Sequence, residues 1–175
     1  MEIEELSLKG LKLIRPKVFE DQRGFFLETF KRASYEAAGL PAFEQDNHSL
    51  SKKDCIRGMH FQTFPGQAKL IRVAVGKIYD VAVDIRPDSA TYGQWQAVIL
   101  DDLLHHQLFI PVGFAHGFCT LSDHAHVLYK VSHPYDASTE KGFCYNDPFV
   151  NIKWPTQTPL LSERDKKAPL LKEAL

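Results

Sequence analysis

The feature that most constrains the fold of this 175-residue chain is a set of short segments in which apolar and polar residues alternate. The clearest covers residues 70–85, where Ile71, Val73 and Val75 share one face and Gly76-Lys77 supplies a two-residue turn. Alternation with a period of two is the pattern of a β-strand with one buried face. The sequence therefore predicts a β-hairpin with a single apolar face at this place.

Similar short segments predict strands along most of the chain, at residues 11–19, 25–30, 95–100, 107–110, 117–121, 126–131 and 142–145. Many short strands at regular spacing are typical of β-sandwiches and closed barrels. Helical patterns cover only residues 32–38 and a segment that starts at Ser162. We therefore expect one all-β jelly-roll domain over residues 1–175, with short N-terminal strands and a small C-terminal helical tail.

Composition argues against several classes of protein. Lys and Arg total 21 against 22 Asp and Glu, so the chain has no general electrostatic attraction to nucleic acid or to an anionic membrane. No apolar run approaches the roughly 20 residues that a membrane helix requires, and the N-terminus lacks the pattern of a secretion signal. The three cysteines are scattered, which is typical of reduced thiols. We expect a soluble, cytoplasmic protein that binds neither nucleic acid nor membrane.

Titratable side chains are concentrated in two of the strand-patterned regions. His60 lies in the segment 57–62, Lys69 follows it closely, and His116 lies in the segment 111–118. Because strand side chains alternate between core and exterior, short and rigid spacings of this kind favour a concave site over a solvated surface. The sequence therefore indicates that the chemistry is carried on the wall of a barrel.

The segment 110–118 resembles the second sequence motif of the cupins. The first cupin motif would place a second histidine two residues after His60, where this chain has Gln62, and Lys69 stands where an acidic ligand would be sought. An ammonium group is a poor neighbour for a divalent cation, and a barrel metal site needs about three protein ligands. His124 and His126 share a strand face without an acidic or thiol partner. A metal site is therefore not favoured.

Eight segments in order resemble the dTDP-4-dehydrorhamnose 3,5-epimerase family, which are nucleotide-sugar epimerases of the cupin superfamily. These segments are residues 21–28, 45–49, 57–62, 67–72, 80–86, 110–118, 129–130 and 161–165. The resemblance extends over nearly the whole chain, and so many independent segments argue against chance agreement. It implies a cupin-type jelly-roll barrel and an isomerase.

The reaction of the family assigns roles to the residues of the proposed site. In a 4-keto sugar the protons on C3 and C5 are α to a carbonyl, so a base can remove them if the enolate is stabilised. The resemblance implies that His60 is this base, that Asp165 orients it, and that Tyr129 is the acid across the sugar ring. Lys69 would place positive charge near the enolate oxygen. The mechanism requires no cofactor.

The resemblance also implies a set of substrate-binding residues. The residues that would bind the diphosphate are the cationic Arg23, Arg57 and Arg164. The base would be contacted by the polar residues Glu28, Gln45, Asp46 and Asn47, and thymine would stack on Tyr135. The pocket would also be lined by His116 and Glu140. The family usually has lysine where this chain has Arg164. The arginine keeps the positive charge but changes the shape of the charged group.

Structural explanations compete with some of these roles. Asp165 ends a Ser-x-x-Asp pattern that begins at Ser162 and is typical of a helix cap. Tyr129 and Tyr135 would fill a core or an interface equally well, and Lys69 at the start of a strand would ordinarily be a solvated charge. Three other functions remain open: an epimerase that inverts only one centre, C3 or C5, of a related sugar; a metal-dependent cupin enzyme; and a non-catalytic module that binds sugar nucleotides.

The N-terminal region predicts an oligomer. Arg23, Glu28 and Gln45 precede the main strands of the barrel, and members of the family use such a segment across a dimer. We therefore expect a homodimer that exchanges its N-terminal strands. The product would supply rhamnose or a related deoxysugar for a cell-surface polysaccharide.

Overall fold

The computed structural model describes all residues from 1 to 175 and is built almost entirely from β-strands. Its elements are β1 (Glu2–Glu5), β2 (Lys12–Arg15), β3 (Val18–Asp21), β4 (Gly24–Leu27), α1 (Arg32–Ala37), β5 (Gln45–Lys52), β6 (Ile56–Gln62), β7 (Lys69–Val75), β8 (Lys77–Asp84), β9 (Trp95–Asp101), β10 (Gln107–Ile110), β11 (Phe114–Thr120), β12 (His124–Val131), β13 (Glu140–Gly142), α2 (Glu163–Lys166) and α3 (Leu171–Ala174). No helix is long and apolar enough to cross a membrane.

Two antiparallel sheets pack face to face. One has the strand order β1-β2-β10-β7-β12-β5, and the other has the order β13-β6-β11-β8-β9. The space between them is filled by apolar side chains from both sheets, among them Ile71, Leu108, Ile78 and Phe118. This arrangement confirms the predicted jelly-roll barrel with small C-terminal helices.

The predicted hairpin at residues 70–85 is wrong. β7 pairs with β10 and β12, whereas β8 pairs with β11 and β9, so the chain crosses from one sheet to the other between them. Gly76 makes this crossing with a φ of 85°, and a Cβ atom there would lie 2.2 Å from the carbonyl oxygen of His124. Moreover, β8 is buried on both faces, at Val81 and at Ala82. Alternation therefore predicted the strands correctly but not their partners.

The terminal segments cover the outer faces of the barrel. The C-terminal residues Val150, Ile152 and Leu171 pack against Val81 and Phe143 on the outside of the five-stranded sheet. Helix α1 covers part of the other sheet through Tyr35. Full burial of a side chain such as Leu171 stabilises the fold by about 1.5–3 kcal/mol. The tail is therefore part of the folded core, which fixes the position of α2.

Strands β3 and β4 form a separate two-stranded hairpin, which we call the arm. Its aromatic residues Phe19, Phe25 and Phe26 are 52%, 57% and 70% exposed. The arm pairs with neither sheet. Unlike the strands of the barrel, it leaves most of its apolar surface uncovered within one chain.

Candidate active site

One end of the space between the two sheets opens into a cavity of about 780 Å³. Both sheets and the C-terminal tail contribute to its wall. Of the fourteen residues that the sequence assigns to the site, eleven line this cavity: His60, Lys69, Tyr129, Asp165, Gln45, Asn47, Arg57, His116, Tyr135, Glu140 and Arg164. Segments that lie far apart in the chain thus converge on one pocket.

His60 on β6 and Asp165 on α2 form the most direct contact in the pocket. The Nε2 atom of His60 donates to Oδ1 of Asp165 at 2.6 Å. A neutral imidazole held in this way carries its proton on Nε2 and leaves the lone pair of Nδ1 free. Beside His60, Gly58 has a φ of 126°, and a Cβ atom there would lie 2.6 Å from the Cα atom of Gly117. The two glycines let β6 and β11 approach closely at the site.

Asp165 does more than cap a helix. Ser162 is the capping residue of α2, and its hydroxyl accepts from the backbone N–H of Asp165 at 3.0 Å. The Asp165 carboxylate instead contacts His60. Burial raises the pKa of Asp165, but hydrogen bonds from His60, Ser162 and the backbone of Gly58 outweigh burial and hold it below its usual range. The explanation by capping alone is therefore wrong.

Lys69 and Tyr129 project into the cavity from β7 and β12 of the six-stranded sheet. Burial lowers the pKa of Lys69 to about 8, although Glu140 and Asp80 favour its charged form. Burial raises the pKa of Tyr129, and the charge of Glu140 raises it further. Lys69 is therefore not a solvated charge, and Tyr129 retains its proton in the neutral pH range.

A second histidine–carboxylate pair lies deeper in the barrel. The Nε2 atom of His116 on β11 lies 2.9 and 3.0 Å from the two carboxylate oxygens of Asp80 on β8. Sequence reasoning assigned no role to Asp80, although a charged residue in a strand rich in Val and Ile was a usable signal. Burial lowers the pKa of His116, Asp80 raises it, and Lys69 and His60 lower it again, so the net shift is downward.

A chain of polar contacts runs along the pocket rim. The hydroxyl of Tyr135 donates to Glu140 at 3.0 Å, and Arg164 forms a short ion pair with the same carboxylate. Gln45 accepts from the backbone N–H of Tyr135 at 2.9 Å. Arg57 is also at the rim, where it donates to the hydroxyl of Ser51 at 2.8 Å. Aromatic, cationic and amide groups are thus available next to one another for a large polar ligand.

Three of the predicted residues lie outside the pocket. Asp46 is on the opposite face of β5, where Lys130 donates to its two oxygens at 2.8 and 2.9 Å, because adjacent strand residues point in opposite directions. Its assignment to the pocket is therefore corrected. Arg23 lies on the arm with 86% of its side chain exposed, and Glu28 follows the arm directly. Neither of them lines the pocket of its own chain.

The donor set at the site does not resemble a metal centre. No group of three or more His, Cys, Asp or Glu side chains is arranged to hold a metal ion. His48 approaches His126 at 2.9 Å between ring nitrogens, but that pair lies on the outer face of the six-stranded sheet. The two histidines in the pocket each bind a carboxylate instead.

Comparison with known proteins agrees with this arrangement. The family model described as dTDP-4-dehydrorhamnose 3,5-epimerase matches residues 5–173. The chain belongs to this family. Its members are epimerases, so the protein is an enzyme of the isomerase class.

Individual relatives are similar over most of the chain. A dTDP-4-dehydrorhamnose 3,5-epimerase of Salmonella typhimurium is 46% identical, with 100% of this chain and 98% of the relative aligned. One of Neisseria gonorrhoeae is 48% identical over 94% of this chain, which spans about half (51%) of that relative. A dTDP-4-dehydrorhamnose 3-epimerase of Streptomyces niveus is 42% identical over 99% of this chain and 86% of the relative.

Solved structures share the fold closely. The structure of a dTDP-6-deoxy-D-glucose-3,5-epimerase from Legionella pneumophila in complex with dTDP-4-keto-L-rhamnose has a TM-score of 0.95 and 43% sequence identity. The alignment covers 98% of this chain and 93% of that one. The cupin-type barrel that the sequence predicted is therefore confirmed.

Proposed function

We propose that this epimerase inverts both C3 and C5 of dTDP-4-dehydro-6-deoxyglucose and so forms dTDP-4-dehydrorhamnose. The observation that carries the proposal is the arrangement of four side chains around one cavity. His60, oriented by Asp165, belongs to the five-stranded side, whereas Lys69 and Tyr129 belong to the six-stranded side. A base and an acid thus face each other across the space in which a sugar ring fits.

The chemistry follows from this arrangement. The free Nδ1 atom of His60 takes the proton from C3 or C5, and the electron pair of the C–H bond moves into the enolate. Lys69 stabilises the negative oxygen, which is a contribution of roughly 3 kcal/mol for a preorganised donor in such a site. Tyr129 then returns a proton to the opposite face of the carbon and inverts it. Exchange with solvent resets both residues before the second centre reacts.

The rim of the pocket fits a nucleoside diphosphate. Arg57 and Arg164 would bind phosphate oxygens, and Tyr135, 54% exposed, offers its ring for stacking on the thymine. Gln45 and Asn47 lie on the same face of β5 and would contact the base. Arg164 presents a planar fork that suits phosphate oxygens, so the usual lysine is replaced without loss of the positive charge.

Isotope exchange tests the proposed reaction. The protein is incubated in heavy water with dTDP-4-dehydro-6-deoxyglucose, and the label is located by NMR. Deuterium is expected at both C3 and C5, and His60→Ala is expected to lose the exchange, whereas His124→Ala, which changes an exposed residue outside the pocket, retains it. Exchange at the normal rate in His60→Ala would refute the assigned base, and binding without any exchange would indicate a non-catalytic module.

The similarity to the Streptomyces niveus 3-epimerase supports a second candidate, which is inversion at C3 alone. The same experiment separates the two, because this candidate predicts label at C3 and none at C5. A metal-dependent reaction would instead show activity that is lost to a chelator and restored by one metal ion.

We also propose that the arm completes the active site of a second copy in a homodimer. Arg23 and Glu28 lie outside the pocket of their own chain, and the exposed rings of Phe19, Phe25 and Phe26 need a cover. A partner barrel would bury these rings and receive the guanidinium of Arg23 near the diphosphate. The three free cysteines fit a reducing cytoplasm, from which the sugar product would enter the synthesis of a cell-surface polysaccharide.

Subunit mixing tests this exchange. His60→Ala and Arg23→Ala are each expected to be nearly inactive, and light scattering is expected to show dimers for both. When the two are refolded together, a mixed dimer has one intact site only if the arm acts in the other subunit. Recovered activity supports exchange, whereas no recovery, or a monomer in light scattering, contradicts it.

A further inference from the structure

Asp80 is a fully buried carboxylate that the proposed reaction does not use. It lies on β8 with none of its surface exposed, and its only hydrogen-bond partner is His116, which contacts both of its oxygens. A buried carboxylate is costly unless a partner compensates it. Its place in a central strand beneath the pocket therefore suggests a role in the site.

The ring of His116 has one atom left for a ligand. Its Nε2 atom faces Asp80, and its Nδ1 atom has no hydrogen-bond partner within the protein. The buried side-chain polar atoms without a partner are Ser49 Oγ and Thr120 Oγ1 only, so Nδ1 is not sealed in the core. Since His116 lines the pocket, this nitrogen is accessible from the cavity.

The same carboxylate acts on Lys69 through its charge. The titratable groups around Lys69 come from five other strands: Glu140 on β13, Asp80 on β8, His116 on β11, His60 on β6 and Tyr129 on β12. Glu140 raises the pKa of Lys69 more than Asp80 does, but it also forms an ion pair with Arg164 at the rim. Asp80 is the anion of this group that is fully enclosed, so solvent screens it least.

We propose that Asp80 is a positioning residue, which fixes the ring of His116 with its Nδ1 lone pair available to a sugar hydroxyl and stabilises the cationic form of Lys69. It touches no substrate itself. This role rests on the proposed epimerisation, in which Lys69 faces the enolate oxygen. This role explains why a second carboxylate, Asp80, lies inside the barrel in addition to Asp165.

The pH profile of kcat/KM tests the role of Asp80. Lys69 has a pKa of about 8, so the wild-type rate is expected to decline above that pH. In Asp80→Asn this alkaline limb is expected about one pH unit lower, which means about tenfold less activity at pH 9. Asp84→Asn is the matched control, because Asp84 is equally buried on the same strand but bonds Arg86, Ser89 and Thr91.

Two outcomes are decisive. The proposal is overturned if the alkaline limb of Asp80→Asn stays where it is in the wild type, or if the limb moves equally in Asp84→Asn. This holds even if His60→Ala has lost isotope exchange. A normal exchange rate in His60→Ala refutes the proposed reaction instead, so the two failures are distinguishable. If Asp80→Asn does not fold, NMR of wild-type protein with ¹⁵N-labelled imidazoles gives the answer: protonation at Nε2 of His116 supports the role, and protonation at Nδ1 overturns it.

Discussion

The barrel contains two histidine–carboxylate pairs of similar chemistry in different surroundings. In the open pair, His60 is 26% exposed and its partner Asp165 comes from a helix 105 residues further along the chain. In the closed pair, His116 is 10% exposed and Asp80 is not exposed at all, and both lie in neighbouring strands. The strands β6 and β11 that carry the histidines are themselves paired, with His60 opposite His116.

This difference in exposure indicates that the open pair takes part in the reaction and that the closed pair positions other groups. A base must lose and regain protons, which requires an accessible nitrogen and a partner that tolerates the imidazolium. The open pair offers both. The closed pair is less exposed, and burial lowers the pKa of His116 and so favours its neutral form, although Asp80 opposes this shift. The same two functional groups therefore serve different purposes because of burial and neighbouring charge.

The largest effect is expected from Asp165→Asn in the open pair. The change keeps the shape of the side chain but removes the charge that stabilises the His60 imidazolium. We expect kcat to fall by about 100- to 10,000-fold, which is the range of a positioned general base, with a small change in KM. Steady-state kinetics check this. A fall no larger than that of Asp80→Asn would remove the distinction between the two pairs.

Lys69 lines the same pocket as the histidines of both pairs, and its replacement is expected to have the next largest effect. Burial disfavours the ammonium, so the charged form is lost near pH 8 instead of near the usual 10.5. Lys69→Met is expected to lower kcat by about 100-fold and to remove the alkaline limb, whereas Lys69→Arg keeps a cation and moves the limb upward. Rate profiles from pH 6 to 10 provide the measurement. A limb that persists in Lys69→Met belongs to another group.

A residue at the rim of the pocket is expected to change binding alone. Tyr135→Ala removes the ring proposed to stack on thymine, which is expected to raise KM about tenfold and leave kcat nearly unchanged. Tyr135→Phe is the control, because it loses only the hydroxyl contact with Glu140. Equal kinetics of Tyr135→Phe and Tyr135→Ala would show that the contact with Glu140, and not stacking, is the role of this tyrosine.

The sequence located the open pair better than the closed one. The family resemblance assigned roles to His60 and Asp165. It also assigned Gln45, Asp46 and Asn47 together to the pocket, but no strand was predicted at these residues. Strand alternation places Asp46 on the face opposite to Gln45 and Asn47, so a predicted strand would have corrected this assignment. Asp80 lies in the segment 80–86 that carried the resemblance, but no role was predicted for it, although a charge inside an apolar strand needs a partner.

Other features lie beyond what a local pattern contains. The strands β7 and β8 were predicted, but their separation into two sheets depends on which long-range pairs form, and alternation does not encode a partner. The roles of Glu28 and Arg23 are likewise not determined by a local pattern. Their side chains lie outside the pocket of their own chain, so one chain alone does not define their role.

The smallest effect is expected at Asp147, which holds the C-terminal tail in place. This tail carries Asp165 of the open pair and no residue of the closed pair. Its carboxylate accepts from the backbone of Phe149 at 2.8 Å and of Leu171 at 2.7 Å. Asp147→Asn replaces one acceptor with a donor, so we expect the free energy of unfolding in urea to fall by about 1–3 kcal/mol. Because α2 would then be held less firmly, kcat should fall by a few fold while the His116 imidazole spectrum stays unchanged. A change in that spectrum would mean that the closed pair also depends on the tail, and that the two pairs are not independent.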